Sequence, residues 1–193
     1  MANPDKPMGA IPVRYRDGKP YTGACNMYYV PSSVTTATYV GGLVKLLTAA
    51  ADADGVMSVT SNVSTGNAVL GAVVGVVPTT HTSTVYLPGS TAGYVYVSDD
   101  PDLLYAIQDD ASATLTAANV GNVGDLTGMT SGSTVSGRSS MEISATTVTS
   151  SGDNTADVVI LGLYNSPDNT VGTNAVWLCR LNNYAILDGN TGI

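Results

Sequence analysis

From Tyr39 onward, apolar residues come in short runs divided by Gly, Pro, Asp and Asn, a pattern of strands joined by turns rather than of helices. The spacing predicts strands over Tyr39–Leu47, Val56–Asn62, Ala68–Val77, Thr84–Leu87, Tyr94–Ser98, Leu103–Gln108, Val158–Tyr164 and Ala175–Leu181. A Ser-, Thr- and Gly-rich stretch over 125–155 has its predicted strands within Ser139–Val148. Turn chemistry separates the runs at Asp52-Ala53-Asp54-Gly55, Pro88-Gly89, Asp99-Asp100-Pro101-Asp102 and Asn165-Ser166-Pro167-Asp168-Asn169. A short helix is predicted only over 114–120, ended at Gly121. In Tyr94-Val95-Tyr96-Val97 the alternation puts tyrosines on one side and valines on the other. Ala68–Val77 is apolar on both faces, as expected of a strand buried on both sides or passing close to another backbone. Trp177, Cys179 and Leu181 share a face, which predicts the only Trp in the core. Together these segments predict an all-β fold, a small β-barrel or β-sandwich.

The first 31 residues read differently. Pro4, Pro7, Pro12, Pro20 and Pro31 each remove a backbone donor and push the preceding residue toward extended conformations. The predicted organisation is therefore an extended N-terminal arm over 1–31 and a single barrel or sandwich domain over 32–193. Ile11, Val13, Tyr15, Tyr21, Met27, Tyr28, Tyr29 and Val30 would be costly to leave in water. Their cover must come from the chain's own barrel, a sister subunit or a different protein.

Composition sharpens the picture. Charged residues make up 11% of the chain, against roughly a quarter in typical soluble domains. So sparse a charge implies a surface kept wet by hydroxyls and amides, or hidden against other chains. The net charge is −8, and Glu142 is the only Glu among the acids. Residues 1–20 carry +2 and residues 21–193 carry −10. An acidic chain without a basic stripe is not expected to bind nucleic acid. No apolar stretch of signal-peptide length lies in the opening fifteen residues, and the longest apolar run, Ala68–Val77, is too short to span a bilayer, so no membrane partner is expected. Cys25 and Cys179 form no disulfide framework, which fits folding in a reducing cytoplasm.

Candidate chemistry is thin. His81 is the only His, so neither a His-based metal site nor a Ser–His pair is expected. The clusters Asp52/Asp54, Asp99/Asp100/Asp102 and Asp109/Asp110 offer oxygen ligands, yet none completes a calcium-loop pattern, and Asx-turns explain them better. Gly137-Arg138-Ser139-Ser140-Met141 has Met where a nucleophile elbow needs Gly. Arg138 stands in a strongly acidic stretch, either solvated or paired with an Asp. Asn62-Val63-Ser64 is a formal glycosylation sequon. No catalytic residue, metal site or cofactor is expected, and the chain is not expected to be an enzyme. The aromatic set, eleven Tyr and one Trp with no Phe, suits either an interface or a carbohydrate-binding face.

Several segments carry a resemblance: Met1–Tyr15 (MANPDKPMGAIPVRY), Tyr39–Lys45 (YVGGLVK), Leu70–Val77, Tyr94–Asp102 (YVYVSDDPD), and Pro167-Asp168-Asn169 with Trp177–Asn183 (WLCRLNN). In these the chain resembles a family of small structural proteins of tailed-phage heads. The resemblance implies a cement or decoration protein, a β-rich head, commonly a homotrimer, seated on the outside of the capsid where subunits of the major capsid protein meet. It also implies a place in the virion after synthesis in the host cytoplasm, and it brings no catalytic motif. Arg14, Tyr15, Arg16, Lys19 and Tyr21 are the expected partner-binding residues, since Arg and Tyr are favoured anchors and a basic, apolar arm suits strand addition to a neighbour. The alternative is a head fibre or adhesin whose Tyr-bearing loops recognise host glycans. A hydrolase would have only Asp pairs such as Asp99 and Asp102 to work with.

Overall fold

The computed structural model describes residues 3–150 and 152–185. Its strands are, in chain order, β1 (Ile11–Tyr15), β2 (Asn26–Val30), β3 (Leu43–Ala51), β4 (Met57–Thr60), β5 (Gly71–Val76), β6 (Gly93–Ser98), β7 (Leu103–Gln108), β8 (Val123–Gly124), β9 (Leu126–Thr127), β10 (Glu142–Ile143), β11 (Val158–Leu163) and β12 (Val176–Leu181). The only helical pieces among the described residues are 3-10 turns at Ala117–Asn119 and Ala145–Thr147. The fold is all-β.

Two sheets do most of the work. Strands β2-β4-β3-β5-β6 close into a barrel, shut by a parallel pairing of β2 with β4 at Tyr29 and Ser58. Strands β1-β7-β12-β11-β8 form an open antiparallel sheet, and β9 and β10 make a two-stranded ribbon. Alternation explains how barrel and sheet meet. On β3 and β5, Val44 and Val73 point into the barrel, whereas Leu43 and Ala72 point out of it into the core of the open sheet. All four are essentially without solvent exposure. One wall thus serves two cores. The barrel core adds Tyr28, Val30, Val59, Leu70, Val95 and Val97, while Leu103, Tyr105, Ile107, Ile160, Trp177 and Cys179 fill the other.

The first half of the apolar run over Ala68–Val77 is both things its sequence allowed. The run is buried on each side over Val69–Val73, with Ala68 exposed and Val74–Val77 half-buried, and at Gly71 an added Cβ would lie 2.0 Å from the Ser98 carbonyl oxygen, so another backbone does pass close by. Val95 and Val97 are fully buried, and Tyr96 stands 40% exposed on the opposite side. Trp177, Cys179 and Leu181 are buried as their shared face predicted.

Other segments differ from the sequence pattern for local reasons. The strand expected from Tyr39 starts at Leu43, because the Gly42 amide turns back to the Tyr39 carbonyl at 3.0 Å. Thr84–Leu87 is no strand and keeps only a single bridge from Leu87 to Thr38. The helix expected over 114–120 shrinks to one turn, and Ser139–Val148 holds only β10 before its own 3-10 turn. Within the first 31 residues, β1 pairs with β7 and β2 with β6, and Ala10, Tyr28 and Val30 are buried against the body. The chain's own body therefore covers much of the apolar surface of that region.

Candidate functional site

Strand β1 is an outer strand of the open sheet, and its free side is partly occupied by the chain turning back on itself. Tyr15-Arg16-Asp17-Gly18-Lys19 forms a tight hairpin in which the Gly18 amide donates to the Tyr15 carbonyl at 3.0 Å and the Tyr15 amide to the Lys19 carbonyl at 2.8 Å. Gly18 has φ +91°, the left-handed residue that a three-residue loop with a bulge requires. The Asp17 carboxylate accepts the Lys19 amide at 3.0 Å and fixes the turn further. Beyond it the Tyr21 amide donates to the Val13 carbonyl at 3.0 Å. Pro12 and Pro20 withhold donors on this edge. These devices blunt an edge strand against further pairing, so strand addition at Val13 and Tyr15 is blocked by the chain itself.

The hairpin leans on the turn between β6 and β7. The Arg16 amide donates to the Asp102 carbonyl at 2.8 Å, and the Arg16 Nε lies 3.3 Å from the Asp102 carboxylate, with both side chains more than half exposed. That turn is itself braced from below: Asn26 and Tyr28 donate to the Asp99 carboxylate, Tyr105 to the Ser98 carbonyl, and Tyr184 to the Asp100 carbonyl. Burial, with the Asp99 carboxylate beside it, holds the Tyr28 hydroxyl well above the ordinary tyrosine range. Burial likewise pushes the Tyr105 hydroxyl up to about 12. All these phenols stay protonated donors at neutral pH.

Between hairpin and turn lies an open cleft of about 420 Å³ lined by Tyr15, Arg16, Asp17, Lys19, Asp100 and Asp102. Lys19 Nζ sits 2.6 Å from Asp17. The hydrogen bond from Lys19 lowers the Asp17 carboxyl, and the same contact raises the Lys19 ammonium. Such exposed pairs contribute little to stability, on the order of 0–1 kcal/mol where they contribute at all. Their effect is to hold charges in fixed positions at a surface.

Of the expected partner-binding residues, the structure brings Tyr15, Arg16 and Lys19 together around this cleft. Arg14 stands beside it on β1, exposed, with its backbone bridged to Pro20 and with no ion-pair partner among the described residues. Tyr21 packs against the core of the open sheet, and its hydroxyl is buried with no hydrogen-bond partner among the described residues. Desolvation raises that hydroxyl above its ordinary value, with Cys25 and Tyr15 adding to it. Asp100 and Asp102 were not singled out as partner-binding from the sequence, although Asp17-Gly18 is a hairpin signal that would have placed the turn and hence its neighbours.

The remaining candidates fall to structural roles. Asp52 accepts the Asp54 and Val56 amides, Asp100 the Asp102 amide, and Asp110 the Ser112 amide, all Asx-type turns. His81 is exposed in a hydroxyl-rich loop, Asn62 is exposed, and Arg138 is exposed with no ion pair among the described residues. Ser139 is buried and donates to the Ser131 carbonyl at 3.3 Å. Tyrosines pair both on a strand face and in loops: Tyr29 and Tyr94 pack with ring centroids 5.4 Å apart, the Tyr94 hydroxyl is held 2.6 Å from Asp52, and Tyr39 and Tyr86, both outside the strands, stack at 5.2 Å. Comparison with known proteins finds no matching family model, no similar curated protein and no similar solved structure.

Proposed function

We propose that this chain is a cement or decoration protein of a tailed-phage head, which binds the outer surface of the assembled capsid between subunits of the major capsid protein and stabilises it. The observation that carries the reading is the β1 hairpin. It exposes Arg14, Arg16 and Lys19, the latter two paired with Asp102 and Asp17, on a body whose residues beyond position 20 carry −10. Arg14, without an ion-pair partner among the described residues, and the exposed ends of Arg16 and Lys19 are the cations this hairpin offers to an acidic partner surface. Arginine and tyrosine side by side supply the anchor chemistry of interfaces.

A decoration protein needs a stiff body and a fixed contact, and no chemistry. The double core provides stiffness, and the hairpin, tied to the braced turn before β7, provides the contact. Oligomerisation as a homotrimer would multiply that contact and cover part of the weakly charged surface.

Charge reversal in the hairpin tests this reading. Purified R14E/R16E/K19E protein, mixed with heads lacking the protein and sedimented, is expected to bind about tenfold more weakly than the natural chain. Natural binding is also expected to weaken as salt is raised, through loss of the charge contribution. Undiminished binding by the charge-reversed protein would remove the hairpin from the interface.

A further inference from the structure

Two outer faces of the molecule carry apolar side chains that belong to neither core. The first is the side of the open sheet turned away from the barrel. Trp177, Cys179 and Leu181 fill the core, so Leu178 and Arg180 point outward. The registers then set Arg14, Leu104, Arg180, Val159 and Val123 in one row across the five strands, with Leu161 at the bulge of β11 beside it. Leu161 is 40% exposed, and Arg180, Val159 and Val123 are half-buried. No acid stands at the outward positions of this row or of the next, and Arg180 has no ion pair among the described residues. The acids nearest along the strands are engaged or turned aside: Asp102 is held by Arg16, Asp157 is buried and accepts the Gly66 and Leu126 amides, and Asp125 leads away from β8 into β9. At the other end the chain closes the face itself. Gln108 accepts the Lys6 amide at 2.9 Å, and Lys6 and Asp168, of opposite sign, both border the cavity there.

The second face is the outside of the barrel at β2 and β6. Tyr28, Val30, Val95 and Val97 fill the barrel, so Met27, Tyr29, Tyr94 and Tyr96 point outward. Met27 stands across from Tyr96, and Tyr29 from Tyr94, which makes one contiguous patch. Met27 is 44% exposed. The charge at its border is acidic: Tyr94 donates to Asp52, and Asp54, exposed and in no ion pair among the described residues, lies on the same turn. Strands β2, β4, β5 and β6 carry no Lys or Arg. The shared β3–β5 wall stands between this face and the open sheet.

We propose that copies of this chain associate head to tail, the outer face of the open sheet of one copy docking on the β2–β6 face of the next. The contact sets Leu161, Val159 and Arg180 against Met27, Tyr96 and the Asp52–Asp54 turn. Charge selects this pairing. Either face turned on its own counterpart brings like charges together, which disfavours association, whereas one face on the other brings cation to acid and apolar to apolar. A heterologous contact of this kind closes into a ring when the rotation per copy divides a full turn, and a third of a turn gives a homotrimer. The contact rests on the decoration reading only for the expectation of a homotrimer, to which it gives surfaces.

Sedimentation equilibrium of the purified chain, without capsids, tests this. The natural chain is expected to show a mass above that of one chain, rising with concentration and falling with added salt. R180E and D54K are each expected to associate about tenfold more weakly, because each spoils one face. An equimolar mixture of the two is expected to form a species of two chains and no larger, since R180E keeps the β2–β6 face and D54K the sheet face. A natural chain that stays monomeric across the micromolar range, undiminished association of either variant, or a mixture no larger than its separate components overturns the contact. Should R180E lower the urea midpoint of Trp177 fluorescence, L161E takes its place with the same expectations. Binding to heads is read separately: a monomer that sediments with heads overturns the head-to-tail contact alone, and an oligomer that ignores heads overturns the decoration reading alone.

Discussion

Asp109 lies wholly out of solvent, yet its carboxylate accepts the Asn174 and Ala175 amides at 2.9 and 3.0 Å and Trp177 Nε1 at 3.0 Å. One side chain thus fixes the entry into β12 and the orientation of the largest core residue. Asp109→Ala would leave those donors buried without acceptors, and the expected loss is about 3–5 kcal/mol, read as a lowered urea midpoint of Trp177 fluorescence. A midpoint within error of the natural chain would contradict this account of the β7–β12 seam. The sequence could not announce the role. In Gln108-Asp109-Asp110 the carboxylates read as turn formers, and each does accept the amide two residues on, but the other partners of Asp109 come from more than sixty residues further along. Trp177 was legible because burial is written into the alternation of a single strand; a buried acceptor shared between distant segments is not.

At the scale of elements, the hairpin after β1 depends on one backbone conformation. An added Cβ at Gly18 would meet nothing within 4 Å, so Gly18→Ala isolates the cost of φ +91° from any steric clash. That cost is about 1–2 kcal/mol, and it should appear locally, as faster exchange of the Tyr15 and Tyr21 amides with core amides unchanged. Equal slowing or no change at both sites would mean that the turn is not what holds them. Strands with strong alternation or apolar runs, β5, β6, β7, β11 and β12, were readable from the sequence because each buries a face. The short β8, β9 and β10 were not, since two-residue strands are made by their neighbours and leave no period in the chain. β1 and β2 lie within the proline-rich first 31 residues, but proline says nothing about a strand's partner, and for these two that partner is the body itself.

In the whole molecule, a barrel and an open sheet share the β3–β5 wall, so neither can shift without disturbing the other's core. The shared wall suits the proposed reinforcing role. The β1 hairpin carries three of the chain's seven basic residues, Arg14, Arg16 and Lys19, beside Asp17, Asp100 and Asp102. The central claim, reinforcement of a phage head, is tested most directly by the temperature at which heads lacking this protein release their DNA, measured with and without the purified chain. Reinforcement predicts a higher release temperature when the natural chain is added and little change with R14E/R16E/K19E. Release at the same temperature with and without the natural chain, at concentrations that saturate any binding, would contradict it.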